Sequence, residues 1–352
     1  MLITKTPNGF YCQQADVFID PSQPVQKALI THAHSDHARS GSQQYLAHYQ
    51  NKEILQLRLG KNIQFQGVEF NQPILINGVK ISFHPSGHIP GSAQIRLEYQ
   101  GEIWVITGDY KLNNDELSTP FEHVKCHHFV TESTFGLPVF NWQPQDQIFN
   151  EINEYWKNCA ENGENLLISA YSLGKSQRII KHLNRDIGPI LCHSTIVQTN
   201  LALEADGFSF GSWDAFNSET WNSDTQKIST NKSTEGETIG SYSKTPISIQ
   251  GNSNKKPLGA AIICPPAGIT DALLKKIQPY RSISCSGWMA MRGARNWGNL
   301  DRGFVLSDHA DFNELITACK ESTAENIYVT HGYTQVFAKY LNETLQVNTN
   351  TW

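Results

Sequence analysis

One stretch, "KALITHAHSDHARSG" at residues 27–41, constrains the chain more than any other. An apolar strand candidate, "KALIT", runs straight into His32, His34, Asp36 and His37. None of these four side chains can build an apolar core. Neutral imidazole and carboxylate are donors for zinc-type metals. In extended chain every second side chain shares a face, so His32 and His34 point together. Asp36 and His37 lie past the strand end, where the chain can turn them toward a second position. A helical site would use i, i+4 spacing instead. The spacing therefore marks a strand-end site.

One such motif supplies too few ligands for two closed sites. Three further donors follow strand candidates in the same way: His88 in "SFHPSGHIPGS", Asp109 after "IWVIT" and His331 after "IYVT". A carboxylate such as Asp109 can bridge two cations, which imidazole cannot. Seven of the 13 histidines (His48, His84, His123, His127, His128, His182 and His193) read as surface or hydrogen-bonded groups. His193, which follows a strand, has a second reading as a substrate contact.

The flanking sequence sets out the scaffold. Up to about residue 135, "DVFID", "KALIT", "VKISF", "QIRLEY" and "EIWVIT" read as strands, with a hairpin turn at Asn77-Gly78. "ARSGSQQYLA" and "NKEILQLRLG" read as short helices, the second stopping at Gly60. From about residue 139 the pattern alternates. A helix with Ile148, Ile152, Tyr155 and Trp156 on one face precedes strand "NLLISA", helix "LGKSQRIIKHLN" and strand "PILCH", a parallel α/β arrangement. Residues 217–257 are rich in Ser, Thr, Asn and Gly and read as a long flexible loop. "LGAAIICPP" resumes as a buried strand. "FVLSD", "DFNELITACKES", "NIYVTHG" and "QVFAKYLNETL" then close the chain with strand–helix alternation.

The 352 residues suffice for one large domain or two ordinary ones. A formal net charge of -5 gives no global basic field for nucleic acid or membrane. A local groove with bound divalent cations escapes that count. The seven cysteines are scattered without a CxxC pair, which reads as a reduced, cytoplasmic protein. The first residues lack the pattern of a secretory signal. No apolar run approaches the roughly 20 residues of a membrane span, so no membrane partner is expected.

The HxHxDH run, the loop His88 and the "GD" of Asp109 together resemble the metallo-β-lactamase superfamily. "TESTFG" with Glu132, "SDHADF" with His309 and "VTHG" with His331 are similar to three extra motifs of its nucleic-acid-cutting branch, the β-CASP nucleases. "SAYSLGKSQRI" and "CSGWM" are similar to that branch's inserted domain. The motifs occur in order from "NGFYC" through "GDYK", "TESTFGLPVFNW" and "SGWMAMRGARNW" to "DRGFVLSDHADF" and "VTHGY". In that order they resemble the ligase-associated DNA damage response exonucleases of bacteria. Residues 217–257 look foreign to that family, which is usually shorter there.

The resemblance implies an α/β fold class: a four-layer αββα sandwich from residues 1–138 plus 303–352, with a β-CASP cap from residues 139–302. It implies two divalent cations, zinc first and manganese as the alternative. His32, His34 and His88 would hold one, and Asp36, His37 and His331 the other, with Asp109 bridging. Water activated by the metals to hydroxide would attack the phosphodiester, and Asp36 counts with the catalytic groups. His309 would protonate the leaving oxygen, with Glu132 holding its ring. Asp20 in "FIDPS" would orient a ligand or loop.

Substrate contacts would come from Lys175 and Arg178 at a helix start. Ser286, Arg292 and Arg295 would add to them, beside the stacking surfaces of Trp288 and Trp297. The activity implied is DNA hydrolysis, as an exonuclease in repair. The partners implied are nucleic acid, DNA over RNA, with DNA ligase and helicase association. An RNA-processing nuclease of the same group is the alternative. His331 bears on it, because DNA-cutting relatives such as Artemis carry an apolar residue at that motif and RNA-cutting ones carry His. A small-ester or thioester hydrolase fits less well with the long insertion and the Glu132/His309 pair. A noncatalytic scaffold would have lost ligands, and none is missing.

Overall fold

A computed structural model describes residues 1–216, 258–291 and 300–352. The polar loop expected at 217–257 lies outside the described residues, as do Arg292, Arg295 and Trp297.

Among the described residues the strands form three sheets. The first contains β1 (Ile3–Thr6), β2 (Gly9–Cys12), β3 (Val17–Ile19), β4 (Lys27–Leu29), β5 (Gln44–His48) and β6 (Phe65–Val68), in that order. β1 to β3 are antiparallel, and β3 to β6 are parallel. Helix α1 (Lys52–Leu59) joins β5 to β6 and stops at Gly60, as its sequence suggests. The second sheet starts with β7 (Ile74–Ile76), β8 (Val79–Pro85), β9 (Ala93–Tyr99), β10 (Glu102–Ile106) and β11 (His128–Ser133). Asn77 (φ 48°) and Gly78 (φ 83°) make the expected two-residue hairpin between β7 and β8.

The chain then builds a wholly parallel third sheet. Its elements are α2 (Gln145–Glu161), β12 (Asn165–Ser169), α3 (Lys175–His182), β13 (Ile190–Cys192), α4 (Ser194–Ala205), β14 (Asp214–Ala215), β15 (Ala261–Cys264), α5 (Asp271–Lys276), β16 (Tyr280–Cys285) and β17 (Arg302–Phe304). Its strand order is β14-β13-β15-β12-β16-β17. The last helices and strands, α6 (Phe312–Glu321), β18 (Asn326–Gly332), α7 (Thr334–Leu345) and β19 (Asn348–Thr351), return to the second sheet, where β18 pairs with β11.

Period-2 alternation explains the layers. In β4, Leu29 faces the core between the first two sheets, while Ala28 faces the core shared by α1 and the helices α2 to α4. In β10, Trp104 and Ile106 face the inter-sheet core and Val105 faces α6 and α7. The result is an αββα sandwich. The core on the α1 side runs without a break into the third sheet, from Ile54 and Leu55 to Trp156, Ile168 and Ile179.

Two local expectations are corrected. "ARSGSQQYLA" is a loop followed by β5 and not a helix, because Tyr45 and Ala47 alternate with Leu46 between two cores and the strand pairs with both β4 and β6. In "FVLSD", only Phe304 belongs to a strand, since β17 ends where its pairing with β16 ends. All seven cysteines are buried and unpaired. Among the described residues no helix is long and apolar enough to cross a membrane.

Candidate metal centre

The loops at the ends of the two sandwich sheets bring the proposed donors together. β4 stops at Leu29, so His32 and His34 stand on the loop beyond it. Gly108, at φ 59°, carries the segment to Asp109 past Thr31, where an added Cβ would lie 2.6 Å from the Thr31 hydroxyl. Donor atoms of His32, His34, His88 and Asp109 all lie within 4.8 Å of one another.

The hydrogen bonds decide which ring nitrogens face inward. His88 donates from Nδ1 to the Asp308 carbonyl at 2.8 Å, and His34 donates from Nε2 to the Leu173 carbonyl at 3.3 Å. Burial, with His309 nearby, holds His88 well below its usual range, and burial also pushes His34 down to about 4. Both rings are therefore neutral and carry one proton each. Their remaining nitrogens, His88 Nε2 and His34 Nδ1, face each other at 3.1 Å with lone pairs only.

His32 repeats the pattern. The Thr31 hydroxyl donates to Asp20 at 2.6 Å, which leaves its lone pair to accept from His32 Nδ1 at 3.0 Å. His32 Nε2 is buried without a hydrogen-bond partner, 3.4 Å from Asp109 Oδ2. His88 Nε2 lies 3.7 Å from the same oxygen. Donors 2.0–2.2 Å from a tetrahedral zinc sit roughly 3.3–3.6 Å apart. The set matches that spacing, and lone pairs converging this way repel unless a cation lies between them.

A further donor, His37, approaches the same Asp109 oxygen as His32 and His88. His37 Nδ1 donates to Asp20 Oδ2 at 2.8 Å, which aims Nε2 at Asp109 Oδ2, 3.5 Å away. Burial lowers His37, but Asp109 and Asp20 outweigh it and hold the ring well above its usual range. The field here therefore favours positive charge. Asp36 Oδ2 is 3.8 Å from His37 Nε2, on a side chain 64% exposed. The His331 ring is 5.7 Å from that of His37. His331 occupies a bulge at φ 55°, where the β11–β18 register slips between Glu132 and Ser133. Such bulges re-aim a side chain.

His309 stands beside these donors, with Nε2 4.0 Å from Asp109 Oδ2. Both Glu132 oxygens are 3.0 Å from its Nδ1. Burial lowers His309, yet Glu132 and Asp109 override it and bring the ring to about 9. Glu132 also accepts from the Tyr110 amide at 2.9 Å, so the carboxylate is itself fixed. Trp142 Nε1 donates to the His309 carbonyl at 2.9 Å, a contact that no sequence spacing signals.

No protein-family model matches the chain. A probable DNA ligase of Opitutus terrae is 26% identical over 343 residues, covering 96% of this chain and 30% of its own. RNase aCSPSF2 of Saccharolobus solfataricus is 29% identical over 122 residues, 34% of this chain and 24% of its own. Endoribonuclease YSH1 of Eremothecium gossypii is 25% identical over 123 residues, 33% of this chain and 15% of its own. The chain is thus similar over nearly all of its length to a protein named as a DNA ligase, and over about a third of its length to proteins named as RNases. It spans less than a third of the length of these relatives. A crystal structure of a protein of unknown function from Enterococcus faecalis shares the fold at 11% identity, with a TM-score of 0.53, over 86% of this chain and 74% of that one.

The segment that carries the third sheet meets the centre through two turns. The first carries Tyr171, Leu173, Lys175 and Arg178. Lys175 and Arg178 are 5% and 3% exposed, and both pair with Asp308: Lys175 Nζ at 3.2 Å from Oδ2 and Arg178 Nη1 at 3.4 Å from Oδ1. Arg178 also donates to the Ser307 carbonyl and to Gln145. Tyr171 is 61% exposed on the same turn. The second turn holds Ser286, whose hydroxyl accepts from the Trp288 amide at 3.3 Å. Trp288 packs on Phe135, whose ring is 5.9 Å from that of His309. His193 caps α4 by accepting from the Thr195 amide.

Proposed function

We propose that the chain is a metal-dependent nuclease that hydrolyses phosphodiesters of DNA, as an exonuclease in cytoplasmic DNA repair. One observation carries the reading: unpartnered imidazole lone pairs and the Asp109 carboxylate converge beside a histidine backed by a buried glutamate. The division into a lactamase domain (1–138 plus 303–352) and a cap (139–302) belongs to the same proposal.

The donor set fits two divalent cations. One would sit on His32, His34 and His88, the other on Asp36, His37 and His331, with Asp109 between. Imidazole-rich ligation favours zinc over manganese. Bound there, such ions supply Lewis acidity toward water and offset phosphate charge. The chain's own residues do the rest. Asp109 stays ionised, because the charged rings of His37 and His309 outweigh the burial that would protonate it. His309 keeps a proton at neutral pH and presents Nε2 to the leaving oxygen. Glu132 fixes that ring and stabilises its charge. Asp20 holds both Thr31 and His37, and so aligns the ligand loop. Tyr171, Ser286 and Trp288 offer a stacking and hydrogen-bonding surface for the nucleic acid strand.

DNA is favoured because the relative named as a DNA ligase aligns with nearly the whole chain. The same likeness supports ligase association, while a helicase partner rests on the family resemblance alone. RNA is the second reading, favoured by the relatives named as RNases. Digestion of 5′- and 3′-labelled single- and double-stranded DNA and RNA, with and without chelator, tests both. Chelator-sensitive release of nucleotides from DNA ends is expected. Cleavage of RNA with DNA untouched would replace the DNA reading, and cleavage of neither would end the nuclease reading.

A further inference from the structure

The first metal position is enclosed by residues from both halves of the molecule, and this has a consequence for metal binding. His34 and His88 have their outer nitrogens held by carbonyls, and both carbonyls are governed by one element of the cap. The Leu173 carbonyl on His34 Nε2 comes from the turn that opens α3. The Asp308 carbonyl on His88 Nδ1 comes from the lactamase side, but the Asp308 carboxylate is gripped by Lys175 and Arg178 of that same α3. We propose that α3 of the cap positions His34 and His88 as ligands, so that docking of the cap sets how tightly the first cation is held. The inference rests on reading the site as a two-metal centre.

The approach of the turn is close. Gly174, at φ 86°, leaves no room for a side chain: an added Cβ would lie 2.3 Å from Ile89, the neighbour of His88. Gln177 locks the turn by accepting from the Gly174 amide at 2.8 Å and donating to the Ser172 carbonyl and to Asn200. Arg178 ties the cluster to α2 through Gln145 and to the lactamase side through the Ser307 carbonyl at 2.7 Å.

Lys175, Arg178 and Asp308 are each no more than 5% exposed, so the cluster has almost no water to replace a missing member. Breaking a buried ionic group by removing one partner leaves an uncompensated charge. Lifting α3 away would strand Asp308 and release both imidazoles at once. With α3 docked, neither ring can turn its lone pair from the other, and their 3.1 Å approach is relieved by a cation. Lys175 and Arg178 therefore act as positioning residues.

The test measures zinc affinity and not turnover. Full-length protein is titrated with zinc against a chromophoric chelator, to give a dissociation constant for each position. Lys175→Met is expected to weaken one position by about 10–100-fold, the usual cost of losing an outer partner of a metal ligand, and to leave the other unchanged. Lys175→Arg should restore most of the loss. A purely structural role would lower the melting temperature of chelated protein and leave both constants alone. Asp308→Asn keeps the carbonyl but loosens the grip, so it should shift the same position in the same direction. If Lys175→Met does not fold, this variant decides the matter. Native constants in the folded variants would overturn the inference while leaving the two-metal reading intact. Failure of the native chain to bind zinc would end both.

Discussion

Asp308 makes a prediction that needs neither substrate nor metal. Burial alone would raise its carboxyl, but the Lys175 ammonium and Arg178 guanidinium more than reverse that and hold it at about 2, against an ordinary 3.8. A group whose folded value is depressed stabilises the fold above its unfolded value and loses that contribution as pH falls toward the folded one. Here the drop is worth about 2 kcal/mol at neutral pH, with roughly half gone by pH 3. The perturbation is Asp308→Asn, which cannot titrate. Urea unfolding of native and variant proteins, both with chelator present to remove metal linkage, is followed from pH 7 to pH 3. The stability difference between the two should shrink by about 1 kcal/mol over that range, with most of the change below about pH 4.5. A difference that stays flat would show that the carboxylate is not gripped by the two cations, and the buried triad would have to be abandoned.

His309→Ala should keep both metal ions by elemental analysis and lose about 10²–10⁴-fold in turnover, the usual worth of a positioned acid; loss of a metal ion would make His309 a ligand instead. Tyr171→Ala should raise KM for single-stranded DNA by about 5-fold or more, a low-end stacking contribution, and leave hydrolysis of the base-free diester bis(p-nitrophenyl) phosphate unchanged. Equal losses on both substrates would place Tyr171 in the support of the metal loop and not at a base.

Much of the site was legible because its donors are rare residue types at strand ends. Three imidazoles and a carboxylate in six positions leave few structural explanations, and His88, Asp109 and His331 each follow an apolar strand. The sandwich was legible only through the family resemblance, while strand–helix alternation pointed to the parallel third sheet. Other features were hidden for definite reasons. Helix α4 escaped because "STIVQTNLALEA" is rich in residues that also suit strands, and its cap, His193, is an uncommon one. Strand β5 was misread because "QYLA" is too short to separate the two periods before its partners are known. Lys175 and Arg178 have the look of phosphate contacts at a helix start, and their partner Asp308 is 130 or more positions away. The carbonyls of Leu173 and Asp308 carry no sequence signal, since every residue has one.

The central claim is that these side chains enclose two cations sharing Asp109. Anomalous diffraction at the zinc edge, from crystals of the zinc-loaded protein, tests it most directly. Two peaks are expected, both in contact with Asp109, one among His32, His34 and His88 and one against His37, Asp36 and His331. A single peak, or zinc bound away from Asp109, would contradict the account.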